Sequence, residues 1–126
     1  MFKGCKSLEY LNVDNFNTEK IIKMDGLFSE LNSLKSLDLS SFSTSKVTTM
    51  EEMFYNCFQI EEIIISSFDT KALENMNSMF YHCEKLLQID LSHFETKNVV
   101  NMAHLFDSCY KLKELDHFLI RERLPQ

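Results

Sequence analysis

The sequence predicts an α/β fold: a solenoid of about five coils, each made of a short parallel strand and a short helix. Three observations carry that expectation. Phe2, Phe28, Phe54, Phe80 and Phe106 recur at an interval of 26 residues, and Met24, Met50, Met76 and Met102 do the same, as do Phe16, Phe42, Phe68 and Phe94. A fixed period of this size marks one structural unit that buries its apolar residues against its neighbours. Within each unit the apolar spacing switches from alternation to the 0, 3, 4, 7 stripe of a helix, as at Met50, Met53, Phe54 and Cys57. The period divides the chain into units 2–27, 28–53, 54–79 and 80–105 and a partial unit 106–116, followed by an irregular tail, 117–126.

The alternating stretch begins each strand. In the first unit Leu11 and Val13 point one way and Tyr10, Asn12 and Asp14 the other, and the equivalent strands are expected at 37–39, 63–65 and 89–91. A Phe, one residue and a Thr follow, giving Thr18, Thr44, Thr70 and Thr96. A hydroxyl there can satisfy backbone groups where the chain leaves the sheet. Thr49, Asn75 and Asn101 then stand as N-cap candidates before each apolar stripe, with Glu52 placed to complete a capping box, and the helix is expected on the convex side. All but Phe58 and Phe118 of the eleven Phe, and all but Met1 of the seven Met, fall into these registers and are assigned to the core. With two Gly and one Pro, the turns must be made by Ser, Thr, Asn and Asp side chains.

Cys5, Cys57, Cys83 and Cys109 share one position, which Leu31 fills in the remaining unit. A site that accepts Leu or Cys is a small apolar site, so buried free thiols are expected, rather than disulfides, zinc ligands or nucleophiles of lowered pKa. His82, His93, His104 and His117 occupy four different positions and form no acid/base or metal constellation. Asp90 and Asp116 would be neighbours on adjacent coils, but the further oxygens of a calcium shell are not evident. No phosphate loop, nucleophile elbow, cofactor motif or catalytic site is found, so no cofactor, no metal and no enzyme activity are expected. A net charge of −6 argues against a nucleic-acid partner. No stretch is apolar enough to span a membrane, and the N-terminus lacks the apolar core of a signal peptide. Both ends read as cuts through a longer array.

The repeated phrase L-x-x-L-D-L-S-x-F-x-T-x-x-V-x-x-M-x-x-M-F-x-x-C, clearest at 34–57, resembles the 26-residue repeat of BspA-like leucine-rich-repeat surface proteins. Residues 86–109 depart from it mainly at variable sites such as Val100 and Ala103. Residues 60–83 have Ile64 in place of Asp, and the first unit has Asn12 and Asp14 for Asp and Ser. The resemblance spans about residues 2–115. It implies a right-handed leucine-rich-repeat-like solenoid, cell-surface display or secretion, and adhesion to a protein or glycan of a host, of the matrix or of a neighbouring cell. The expected ligand face is the exposed side of the sheet, with Tyr10, Asn12, Asp38, Glu62, Ile64, Gln88 and Asp90 as candidates. The alternatives are a spacer without a ligand of its own and an intracellular scaffold.

Overall fold

The computed structural model describes residues 2–112. The expected α/β architecture is not what the chain adopts. Among the described residues there is no helix, and the strands are two: β1 (Ser36–Asp38) and β2 (Glu62–Ile64), paired in parallel with Ser36 opposite Glu62, Leu37 opposite Ile63 and Asp38 opposite Ile64. The expected strands within 8–16 and at 89–91 do not form. The last unit's end from residue 113, including Asp116, and the tail with His117 lie outside the described residues.

The stretch expected to be helical is a pair of four-residue turns laid end to end. Met53 N–H donates to the Met50 carbonyl at 3.1 Å, and Cys57 N–H to the Phe54 carbonyl at 3.3 Å. The third residue of each turn is left-handed, Glu52 at φ 56° and Asn56 at φ 60°, as a type II turn requires. Apolar corners at the first and fourth positions of two abutting turns produce the same 0, 3, 4, 7 spacing as a helical stripe. The pattern therefore has two physical solutions, and hydrogen bonding chooses between them.

The alternate amides that a helix would use internally are used between coils instead. Met50, Glu52, Phe54 and Asn56 donate to the carbonyls of Asn75, Asn77, Met79 and Tyr81, 25 residues further along, at 2.8–2.9 Å. Met24, Gly26, Phe28 and Glu30 donate in the same way to Thr49, Glu51, Met53 and Tyr55, and Met76, Ser78, Phe80 and His82 to Asn101, Ala103, Leu105 and Asp107. A chain whose N–H groups point alternately to the next coil and back into its own turn leaves none for an α-helix.

The expected N-caps keep their local chemistry in a different setting. Asn75 Oδ1 accepts the Asn77 N–H at 2.9 Å and Asn101 Oδ1 the Ala103 N–H at 3.1 Å. Lys23, Thr49, Asn75 and Asn101 form a line of isolated parallel bridges down the stack. Two columns are left-handed throughout: Gly26, Glu52, Ser78 and His104 form one, and Gly4, Glu30, Asn56, His82 and Ser108 the other. For an ordinary side chain that conformation costs about 1–2 kcal/mol, which the inter-coil bonds and the core must offset.

That core is a set of vertical columns. The rings of Phe2, Phe28, Phe54, Phe80 and Phe106 lie 5.5–5.8 Å apart and within 10° of parallel at every step. Met24, Met50 and Met76 are buried beside them, and so are Leu37, Ile63 and Ile89 beneath the sheet side. Phe16 is the exception to its column: it is exposed, while Phe42, Phe68 and Phe94 are buried.

Buried threonines staple one coil to the next. The Thr18 hydroxyl donates to the Ser43 carbonyl at 3.0 Å and accepts the Ser43 N–H at 2.8 Å. Thr44 does the same with Asp69, and Thr70 with Glu95. The sequence reading placed these hydroxyls on backbone groups, and the structure shows that the groups belong to the neighbouring coil.

The cysteines are free thiols, with Cys57 and Cys83 buried, Cys109 half-buried and Cys5 exposed. Each of the first three donates to a Phe carbonyl of the preceding coil: Cys57 to Phe28 at 3.1 Å, Cys83 to Phe54 at 3.2 Å and Cys109 to Phe80 at 3.0 Å. Burial pushes Cys57 up to about 12 and Cys109 to about 11. Burial, then the neighbouring thiolates of Cys57 and Cys109, push Cys83 well above its ordinary 9.0. These folded values lie above the unfolded one, so their stabilising contribution is complete below pH 9 and is lost as pH rises towards 12. We expect Cys5 to react with iodoacetamide at pH 8 and Cys57 and Cys83 to react only after unfolding. The urea midpoint should fall between pH 8 and pH 10.5, and fall less in Cys83→Ala than in the wild type. Equal labelling of Cys5 and Cys83 in the folded chain would contradict this account.

Candidate functional site

The sheet side is where side chains leave the backbone in register, because in β1 Ser36 and Asp38 face solvent while Leu37 is buried. Among the described residues, strand pairing on this side is confined to the junction of the second and third coils. Glu61 N–H donates to Lys35 O at 2.8 Å and Leu39 N–H to Ile64 O at 2.9 Å. Towards the first coil the ladder stops: among the described residues no backbone bond joins 8–13 to 34–39. A shallow hollow of about 190 Å³ opens there, lined by Tyr10, Leu11, Asn12, Asp14, Ser36 and Asp38.

Three of the seven sequence candidates thus meet at one place. Tyr10 is 74% exposed and stands at the rim. Asn12 accepts the Asp14 N–H on its Oδ1 at 2.9 Å, and Asp38 accepts the Ser40 N–H on its Oδ1, also at 2.9 Å. Both are Asx turns, which fix the side chains as the chain leaves the face. The Ser40 amide, then its hydroxyl, hold the exposed Asp38 carboxyl below its usual range, so it is ionised at neutral pH.

The other four candidates lie elsewhere on the same side. Glu62 and Ile64 belong to β2, beside Ser36 and Asp38, and Ile64 is half-buried, not the freely exposed residue that alternation predicts. Gln88 and Asp90 are exposed in the fourth coil, where no strand forms and, on this side, Leu87 N–H donates to Glu61 O of the third coil at 3.3 Å. Asp90 is occupied by Ser92, accepting from its amide at 3.0 Å and its hydroxyl at 2.6 Å. These bonds, hydroxyl first, lower its pKa. The expected Asp90–Asp116 pair cannot be placed, since Asp116 is outside the described residues.

Sequence reasoning did not select Leu11, Asp14 and Ser36 for the site. Asp14 and Asn12 are positions at which the first unit departs from the repeated phrase, and that departure is the signal that could have singled out this junction. The described histidines are dispersed: His82 packs on Tyr81 with ring centroids 4.4 Å apart, His93 Nε2 lies 3.0 Å from Ile65 O, and His104 Nδ1 lies 2.7 Å from Asp107. Among the described residues no group of three or more His, Cys, Asp or Glu could hold a metal ion. No helix among them is long and apolar enough to cross a membrane.

A family model described as "Mycoplasma protein of unknown function, DUF285" matches residues 1–118. The chain belongs to the DUF285 family. No curated protein and no solved structure matches it. In this DUF285 chain the hollow is built by the first two coils, both inside the matched span.

Proposed function

We propose that the chain is a non-enzymatic recognition module that binds a protein or glycan through the face carrying β1, β2 and residues 10–14. The observation that carries this reading is the convergence of Tyr10, Asn12 and Asp38 on a single hollow, beside an outward row of Ser36, Glu62 and Ile64. Side chains fixed by Asx turns and a stacked core bind with little ordering cost, which favours recognition. The likeness to BspA-like surface proteins supports adhesion as the purpose and surface display or secretion as the setting. The reading is tested by binding the chain to a panel of matrix proteins and glycans. Any ligand retained should lose at least about tenfold in affinity in Tyr10→Ala and in Asp38→Asn, one hot-spot residue's effect. A panel that retains nothing, or a ligand indifferent to both substitutions, would favour a spacer instead.

A further inference from the structure

We infer that the hollow between the first two coils takes a cationic side chain of a partner protein, an arginine or lysine, laid against Tyr10 and between Asp14 and Asp38. This inference rests on the recognition reading above and names the chemistry of its partner.

The lining is uneven in charge. Among the described residues it comprises two carboxylates, one carboxamide, one hydroxyl, an aliphatic side chain and an exposed phenol, with no Lys, Arg or His. The two carboxylates come from different coils, Asp14 from the first and Asp38 from the second, so they approach the hollow from opposite sides of the unpaired junction. Asp38 is anchored by its bond to the Ser40 amide, and Asn12 by its bond to the Asp14 amide. The Asp38 carboxylate and the Asn12 carboxamide are therefore positioned before anything binds, and Asp14 adds its charge from the first coil.

Tyr10 supplies the remaining element. Tyr10 is 74% exposed, and an open aromatic side chain beside one anchored and one free carboxylate suits a guanidinium or ammonium group, which is drawn to both the ring quadrupole and the negative charge. Leu11, half-buried in the lining, offers an apolar wall for the methylene stem of such a side chain. The chain as a whole carries −6, so a basic partner is attracted at long range as well. Two other clusters offer a partner less. Tyr55 and Tyr81 cover one face of each other's ring at 5.0 Å, and His82 stacks on Tyr81 at 4.4 Å, while the thiol column is closed by its bonds to Phe carbonyls.

The test is an amide-shift titration of the isotope-labelled chain with three probes: acetyl-tri-arginine amide, the isosteric tri-citrulline peptide and chitotriose. The arginine peptide should move the amides of residues 10–14 and 36–40 and the citrulline peptide should not. Raising salt from about 50 to 500 mM shortens the screening length severalfold and should weaken the response by a comparable factor. Asp14→Asn with Asp38→Asn, which keeps the Asx acceptor, should weaken arginine binding at least about fivefold, and Tyr10→Leu about threefold. If citrulline or chitotriose moves these amides as strongly as arginine, the cationic partner is wrong and the face remains a recognition surface. If arginine moves amides all over the acidic surface alike, or moves none, the inference falls. The recognition reading itself falls if the binding panel retains nothing or is indifferent to the face.

Discussion

Phe54→Ala should destabilise the chain by about 3–5 kcal/mol, the range for deleting a buried aromatic ring. Phe54 is fully buried at the centre of the ring column, 5.8 Å from Phe28 and 5.5 Å from Phe80. Removing it opens a cavity bounded above and below by rings that cannot collapse, because each is held by its own coil. The loss is a large share of the roughly 5–15 kcal/mol that a folded domain possesses. Phe58→Ala is the control: Phe58 is half-buried and only tilted against His82 at 6.2 Å. Urea unfolding of the two variants should differ by at least about 2 kcal/mol, the gap between core and surface truncations. Equal costs would mean that the column is not the core.

Thr44→Val should cost about 2–4 kcal/mol although it barely changes shape. The hydroxyl of Thr44 serves both the carbonyl and the amide of Asp69, at 3.0 and 2.8 Å, and Thr44 is 1% exposed. Without it two backbone groups of the next coil lose their partner in a part-buried site, at about 1–2 kcal/mol each, the lower part of the range for an unsatisfied group. Thr44→Ser keeps the hydroxyl and drops only a methyl, for about 1 kcal/mol. Urea midpoints should therefore rank wild type, then Ser, then Val. A Val variant as stable as the Ser variant would show that the methyl, not the hydroxyl, matters there.

The columns were legible in the sequence because burial repeats with the period. Phe28, Phe54 and Phe80 had to share an environment, and so did Thr44 and Thr70. The local conformation was not legible from the stripe at Met50, Met53, Phe54 and Cys57, since two abutting turns and two turns of helix bury the same four positions. The chain's two glycines held the clue. Gly4 and Gly26 both stand in left-handed columns, and Asn56, of a residue type that tolerates that region, stands in one of them. Glu52 and Glu30 in equivalent places hid the pattern, because glutamate suggests a helix. At the site, the outward row of Tyr10, Asn12 and Asp38 followed from alternation. The hollow did not, because it lies where the ladder between two coils fails to form, and the one trace of that junction in the sequence is the first unit's departure from the repeated phrase at Asn12 and Asp14.

The threonine staples and alternating amides join each coil only to its immediate neighbours, always through the same atoms. Chain length is therefore a free variable for this architecture in steps of one whole unit. Duplication or deletion of 26 residues at a junction would preserve the pattern of staples and inter-coil amide bonds at the seams that remain. A single inserted residue would instead swap inward for outward amides through the rest of its unit, so the genetic tolerance of such a chain is sharply quantised.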